Sequence, residues 1–359
     1  MAIDRRALLA SIAATILASH RSATAQTSTI PLWRGFNLVE LVGGERNRNF
    51  VESDFRWMAE WGFNFARLPC SYWSWSSPND WMKIDARALK PLDRGIEFGR
   101  QNKIHINLCL HRIPGYCVNG REREPFQLFN SPPEQMRVAL EAAVFHWKTL
   151  AERYRDVPSA ELSFDLINEP PFMSDQSRYV EIAKTLISTI RDISPDRLIF
   201  VDGADLGQTP VMQLTDQRIV QSTRGYLPKM VSHYGASWVP PNEFESRDKP
   251  AWPMIDQTGA RWDRDRLRHE LIDKWSPLLA SKTPVHVGEW GCLNKTPHET
   301  CLAWMKDVLS LWKDAGWGWC LWNFRGPFGI LDSGRSDVRF EWFRGHFLDR
   351  KILELLIAN

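Results

Sequence analysis

SPPEQMRVALEAAVFHWKTLAERYRDVPSAELSFDLINEP, residues 131–170, carries one full passage from helix to strand in this 359-residue chain, and the rest is read outward from it. Ser131-Pro132-Pro133-Glu134 reads as a capping box with proline in the first helical turn. Met136, Leu140, Val144, Trp147, Ala151 and Tyr154 follow at three- and four-residue steps, one apolar face of a helix. The run Ser163–Ile167 then reads as a short buried strand that stops at Asn168-Glu169-Pro170.

The same alternation recurs along the chain. Strand candidates are Trp33–Val39, Asn64–Leu68, Ile104–Leu110, Ser163–Ile167, Leu198–Val201, Lys229–Ser232, Val285–Gly288 and Gly318–Trp322. Further helices are expected over residues 51–61, 86–101, 176–193, 263–280 and 297–315, with the weakest link after Val201. Eight βα units in a chain of this length predict an α/β fold, a single-domain (β/α)8 TIM barrel. In that fold chemistry sits where strands end and βα loops begin. The stretches from Arg112 to Asn130 and from Gly235 to Ala260 are long for such loops and are expected to shape a cleft.

Residues 1–25 read as an export signal, and residues 26–359 as the barrel domain. Arg5-Arg6 lead into the apolar run Ala7 to Ala18, and Ala23-Thr24-Ala25 offers a cleavage site. The adjacent arginines point to the twin-arginine route, a general secretory signal with a chance arginine pair being the alternative. The run is shorter than the ~20 apolar residues that span a bilayer. The expected location is therefore periplasmic or extracellular. The formal net charge is +2, and the excess of Arg5, Arg6 and Arg21 over Asp4 accounts for all of it. A neutral mature chain argues against nucleic acid as a partner. Cys70, Cys109, Cys117, Cys292, Cys301 and Cys320 show no metal spacing, and an oxidising compartment permits disulfides without choosing a pairing. Cys109 and Cys320, within apolar runs, are read as buried thiols.

The strand ends are rich in functional groups: Arg67-Leu68-Pro69, His111, Asn168-Glu169-Pro170, His233-Tyr234, Glu289-Trp290-Gly291 and Trp322-Asn323. A glutamate at the end of a buried strand is costly unless it faces a wet cleft or a partner neutralises it. Glu169 and Glu289, on the fourth and seventh strands, would converge on one cleft from opposite walls. Two carboxylates about 5 Å apart suit a retaining glycosidase, and a gap of roughly 6.5–9.5 Å suits an inverting one.

From about Leu32 to the C-terminus the chain resembles glycoside hydrolase family 5, the cellulase family. The resemblance rests on Leu166-Ile167-Asn168-Glu169-Pro170, Val287-Gly288-Glu289-Trp290-Gly291, Arg34-Gly35-Phe36-Asn37, Phe65-Ala66-Arg67-Leu68-Pro69 and Leu110-His111, all in order. It implies that Glu169 is the general acid and base and Glu289 the nucleophile. It implies that Asn168 bonds the sugar 2-hydroxyl and that Arg67 holds Glu289 ionised through a bidentate contact. His111 and His233 would line the subsite before the scissile bond, with Trp322 stacked on that sugar. One departure stands out: the family's tyrosine falls two residues after the strand-six histidine, whereas Tyr234 follows His233 directly and Gly235 occupies the expected place.

Eighteen tryptophans invite a division between core and cleft. Trp61, Trp147 and Trp312 lie on helix faces and read as core. Trp73, Trp75, Trp238 and Trp290, with Tyr116, lie beyond strand ends and are candidate subsite aromatics. His105, His146 and His286 read as structural. No H-E-x-x-H and no G-x-G-x-x-G occur, so neither metal nor nucleotide cofactor is expected. The expected partner is a β-linked oligo- or polysaccharide, met by a monomer with no membrane span. The simplest expected activity is an endo-β-1,4-glucanase. Exo-acting β-glucosidase, β-1,3-glucanase, mannanase, xylanase and transglycosylase belong to the same resemblance, and a noncatalytic carbohydrate-binding barrel would require loss of a glutamate.

Overall fold

The computed structural model describes residues 30–43, 47–119, 123–239 and 248–359. The expected export signal, residues 1–25, lies outside the described residues. Eight strands form the barrel: β1 Arg34–Asn37, β2 Phe65–Ser71, β3 His105–Ile113, β4 Leu162–Asp165, β5 Ile199–Asp202, β6 Val220–Gly225, β7 Val285–Trp290 and β8 Gly318–Leu321. Each pairs in parallel with the next, and β8 closes on β1 through Arg34 opposite Trp319 and Phe36 opposite Leu321. The outer helices are α1 Glu52–Glu60, α2 Lys90–Gln101, α3 Pro133–Arg153, α4 Ser177–Arg191, α5 Arg264–Leu271, α6 His298–Ala315 and α7 Arg350–Ile357. The weak link after Val201 contains only short helical turns, at Ala204–Gly207 and Met212–Leu214.

Strand six departs from the expectation. Lys229–Ser232 is a single helical turn, and the sixth strand is Val220–Gly225. Its Gln221, Ser222, Thr223 and Arg224 are all buried. Polar side chains turned inward to a barrel lumen, or bonded to main chain, hide a strand from any reading that looks for apolar residues. Gln221 shows how the burial is made tolerable: its side-chain amide accepts from Val211 N at 2.9 Å and donates to Val211 O at 2.8 Å.

Helix α3 is present but capped differently from the capping-box reading. Ser131 Oγ accepts from Gln127 N at 2.8 Å, so the hydroxyl serves the preceding loop, and Pro132 stands at the N-cap without a side-chain bond. The buried stripe is Ala139, Ala142, Ala143, His146, Trp147, Leu150 and Ala151, with Met136, Leu140 and Val144 at its half-buried edge. Small alanines let α3 approach the barrel closely.

The lower barrel is filled by an aromatic plug. Trp33 stacks on His105 at 4.0 Å, and Phe65, Phe200 and His286 pack around them. His105 is held by Ala160 O and Ser163 Oγ, and burial lowers it to about 4, so both His105 and His286 act as neutral core residues. His146 likewise bonds Trp75 Nε1 and Trp81 O. At the opposite end, aromatic side chains of the outer helices donate to carbonyls next to strand ends. Trp147 reaches Leu166 O at 3.1 Å, Tyr179 reaches Asp202 O at 2.6 Å and Trp304 reaches Leu227 O at 3.0 Å. These bonds register the helices against the loops that carry the polar residues. All six cysteines are buried thiols, and no disulfide forms among the described residues. No helix among the described residues is long and apolar enough to cross a membrane.

Candidate active site

The buried polar residues converge at the C-terminal end of the barrel. Arg67, on β2, is 1% exposed and organises the floor. Its Nε donates to Asp165 Oδ2 at 2.8 Å, Nη1 to Glu289 Oε1 at 2.6 Å and to Asn37 Oδ1 at 3.0 Å, and Nη2 to Asn168 Oδ1 at 2.8 Å. The contact with Glu289 is therefore through one nitrogen and not the bidentate fork expected from sequence. The remaining donors lock β1 and β4 to β2. Asn37 in turn donates to Gly288 O at 3.0 Å, tying β1 to the residue before Glu289.

Glu289 is aimed by a local irregularity of its strand. The register of β7 shifts between Val287 and Glu289 against β6, and again before Trp290 against β8. Such a bulge re-aims a side chain. Glu289 turns into the lumen, 5% exposed, and Trp290 turns outward against Trp304, Trp312 and Trp319. The second oxygen of Glu289 accepts from Tyr226 Oη at 3.3 Å. Tyr226 follows β6 directly, and it is the tyrosine that meets the carboxylate, in the role expected of Tyr234. Burial and the neighbouring Glu289 and Glu169 push the Tyr226 hydroxyl well up, so it remains a donor.

Glu169 is held by its main chain as well as its side chain. Its φ is +48°, a left-handed conformation that costs a non-glycine residue about 1–2 kcal/mol. Two side chains grip it there: Asp202 Oδ2 accepts from Glu169 N at 2.8 Å, and Tyr116 Oη donates to Glu169 O at 2.6 Å. The side chain is 17% exposed and accepts from Arg224 Nε at 3.2 Å. Burial, then the charge of Glu289, raises its pKa to about 7. A carboxyl poised there is protonated near neutral pH and suits a proton donor.

Asn168 is fixed between two guanidinium groups, its Oδ1 accepting from Arg67 Nη2 at 2.8 Å and Arg224 Nη2 at 2.9 Å. Its Nδ2 is buried with no hydrogen-bond partner among the described residues. The arrangement presents an oriented donor beside the two glutamates. His111 lies nearby, its Nδ1 3.9 Å from Glu289 Oε1 and its ring stacked on Trp322 at 5.4 Å. Burial, then the charges of Arg112, Arg67 and Arg224, hold it neutral. His233, Trp238, Phe328 and Tyr226 form a second aromatic wall, with His233 4.8 Å from Tyr226 and 5.6 Å from Phe328. Ser232 Oγ joins this wall to the floor by bonding Tyr226 O and His233 Nδ1.

The other candidate aromatics divide. Trp75 and Trp290 are core residues, 3% and 0% exposed, and not available to a cleft. Trp73 is half-buried, with the guanidinium groups of Arg112 and Arg123 over its ring at 4.9 and 4.7 Å. Its Nε1 donates to Glu124, which also accepts from Tyr72 Oη and Gly115 N. Glu124 thereby clamps the loop after β3 onto the loop after β2. Trp238 is 60% exposed at the rim. Of the long stretch after Gly235, residues 240–247 lie outside the described residues. The part around Pro250 and Trp252 packs on α6, where Thr300 Oγ1 donates to Pro250 O and Trp252 Nε1 donates to Asp307 Oδ2.

Asn37, Asp202, Arg224 and Tyr226 had no role in the sequence reading. Asn37 stood within a quoted motif. The other three were missed because strand six was placed too late and because Asp202, at the end of β5, had only a short apolar run before it.

A sequence profile of Cellulase (glycosyl hydrolase family 5) matches residues 23–326. The chain belongs to glycosyl hydrolase family 5. It is an O-glycosyl hydrolase with the family's barrel. Endoglucanase C of Acetivibrio thermocellus is 24% identical over 81% of this chain and 89% of its own length. Cellodextrinase A of Ruminococcus flavefaciens is 25% identical over 76% of this chain and 78% of its own. A crystal structure described as a glycoside hydrolase superposes with a TM-score of 0.83 at 35% identity, covering 91% of this chain and 98% of that one.

Proposed function

We propose that this family 5 hydrolase cleaves internal β-1,4 bonds of a glucan by double displacement, with Glu289 as nucleophile and Glu169 as acid and base. The observation that carries the reading is the pair itself: Glu289 is paired to Arg67 and bonded by Tyr226, while Glu169 is raised to about 7. A carboxyl raised toward neutrality beside an ion-paired carboxylate suits a division into acid and nucleophile. Both carboxylates also meet the one guanidinium of Arg224, at 3.2 and 3.5 Å. Sharing one small planar group favours the close spacing of a retaining pair, about 5–5.5 Å, over the wider gap that admits a water. Asn168 Nδ2 would donate to the sugar 2-hydroxyl, and His111, Trp322 and His233 would line the adjoining subsite.

The endo preference is supported by the similarity to Endoglucanase C, over most of both chains. A second reading, action on short β-glucan chains, is favoured by the similarity to Cellodextrinase A. Product profiling separates the two. Release of mixed oligosaccharides from soluble cellulose derivatives and mixed-linkage glucan supports the endo reading, and turnover confined to cello-oligosaccharides replaces it with the second. Initial products followed by NMR should keep the β configuration, and an initial α anomer would overturn the double displacement. We also propose export to the periplasm or beyond, supported by Arg5-Arg6, the apolar run after them and Ala23-Thr24-Ala25.

A further inference from the structure

Among the described residues, Arg224 is the cation that meets both glutamates. Its Nε meets Glu169 Oε1 at 3.2 Å and its Nη2 lies 3.5 Å from Glu289 Oε1. The rest of the guanidinium is spoken for: Nη1 donates to Asp202 Oδ1 at 3.1 Å and Ser222 Oγ at 3.0 Å, and Nη2 donates to Asn168 Oδ1 and makes a short bond to Asp202 Oδ2. Asp202 is fully buried, and the oxygen it offers to Arg224 Nη2 also accepts the main-chain N–H of Glu169. Two glycines keep the path open. A Cβ on Gly288 would stand 2.8 Å from Arg224 Nη1, and one on Gly207, at φ +77°, 2.8 Å from Arg224 Cγ.

We propose that Arg224, locked against Asp202, is a positioning residue that holds the carboxyl of Glu169 in place and transfers its electrostatic support from Glu289 to Glu169 as the glycosidic bond breaks. The inference rests on the roles given to Glu169 and Glu289 above. In the first step a Glu289 oxygen bonds the anomeric carbon, the bond from that carbon to the leaving oxygen breaks, and the proton of Glu169 passes to that oxygen. Glu289 goes from one negative charge to none as Glu169 goes from none to one. The pair's total charge is constant, and its position moves from one side of Arg224 to the other. In the second step water bonds the anomeric carbon, the ester bond to Glu289 breaks and the water proton returns to Glu169, so the charge moves back. A fixed cation within reach of both sites stabilises each state without rearrangement, the condition under which electrostatic catalysis costs no reorganisation.

The charged and titratable groups around this cation define its setting. Glu169 is faced by Glu289 from β7, Asp202 from β5, Arg67 from β2 and Arg224 from β6. Tyr116 holds its carbonyl. Arg224 also lies near His111, which is neutral, and near Asp165 and Tyr226. Burial and Glu289 raise Glu169, and Arg224 is the leading influence in the other direction, ahead of Arg67. Glu289 keeps Arg67 at 2.6 Å whatever happens to Arg224. Loss of Arg224 therefore leaves Glu289 with a bonded cation, whereas Glu169 loses the one guanidinium that hydrogen-bonds it among the described residues.

The test compares Arg224→Met and Arg224→Lys with the full wild-type chain on phenyl and 2,4-dinitrophenyl β-cellobiosides across pH. The phenyl glycoside needs a proton donor and the dinitrophenyl glycoside does not. In Arg224→Met, kcat/KM on the phenyl substrate should fall by about 10²-fold or more, with a loss below about 10-fold on the dinitrophenyl substrate. The basic limb of the profile should rise by roughly one pH unit, because removing a cation favours the protonated carboxyl. Arg224→Lys should restore the limb. Equal losses on both substrates with an unmoved limb would overturn the proposal. If Arg224→Met does not fold, the double variant Asp202→Asn with Arg224→Met removes both buried charges; its readout is the phenyl-to-dinitrophenyl ratio alone, because losing Asp202 lowers Glu169 and offsets the movement of the limb, and equal losses on the two substrates would again overturn the proposal. Azide with Glu169→Ala and the dinitrophenyl substrate should yield a β-glycosyl azide. Absence of that product sinks the assignment of Glu169 itself, whereas its presence beside an unmoved Arg224→Met profile sinks only the role of Arg224.

Discussion

Tyr226 Oη lies 3.3 Å from Glu289 Oε2, and it reaches the carboxylate from the residue that directly follows β6. The Arg67 bond to the other oxygen, at 2.6 Å, completes a two-sided grip that fixes the direction of the carboxylate plane. In the nucleophile role proposed for Glu289, a carboxylate so held would attack from one angle, and small misplacements of such groups cost about 10²-fold in rate.

Tyr226→Phe should therefore lower kcat by about 10–10²-fold while leaving the fold intact. Tyr234→Phe should stay within about two-fold of wild type, since the hydroxyl that meets Glu289 belongs to Tyr226. Steady-state kinetics on a cello-oligosaccharide decides between them, and a reversed order would return the role to Tyr234.

The raised Glu169 makes two statements about pH. As a proton donor it should lose function as pH rises past about 7, which sets the basic limb of kcat/KM. The folded chain also holds a proton that the unfolded chain has released, between the ordinary 4.5 and about 7. Its contribution to stability is therefore undiminished below that window and declines as pH rises through it. Glu169→Gln should melt above the wild type at pH 8, and the gap should close toward pH 4. A gap that persists unchanged in acid would contradict this account.

Asp202→Ala leaves Arg224 buried and short of its main counter-charge and frees the main-chain N–H of Glu169. Breaking a buried pair from one side costs about 3–5 kcal/mol. Urea titration should show a loss of that size, together with a fall in activity, because Glu169 loses one of the two bonds that hold its left-handed backbone. A loss below about 1 kcal/mol would mean that water replaces the carboxylate freely.

Two tryptophans once grouped as cleft candidates should behave oppositely. Trp290 is 0% exposed against three other tryptophans, so Trp290→Ala should destabilise the chain by about 3–5 kcal/mol. Trp238 is 60% exposed beside Phe328, so Trp238→Ala should leave the melting temperature nearly unchanged and raise KM on long glucans several-fold. Equal effects on stability would place both in the core.

The sequence by itself determined the alternation that makes the barrel and the two glutamates at its mouth. Helical periodicity and short apolar runs are local signals, and Ser163–Ile167 and Val285–Gly288 carry them plainly. A carboxylate at the end of such a run stands out because burial there is costly. Only the tertiary structure decided how those glutamates are held. Val220–Gly225 contains Gln221, Ser222, Thr223 and Arg224, and looks polar in isolation. Gln221, Thr223 and Arg224 are satisfied by partners that the chain brings from elsewhere, Val211, Gly207 and Asp202, and Ser222 by Arg224 of the same strand. Hydropathy measures what a residue prefers in water and not what it meets inside a closed barrel. That is why Lys229–Ser232, with Met230 and Val231 at its centre, took the place of strand six in the sequence reading, and why Arg224 and Tyr226 emerged only when the strands were closed around them.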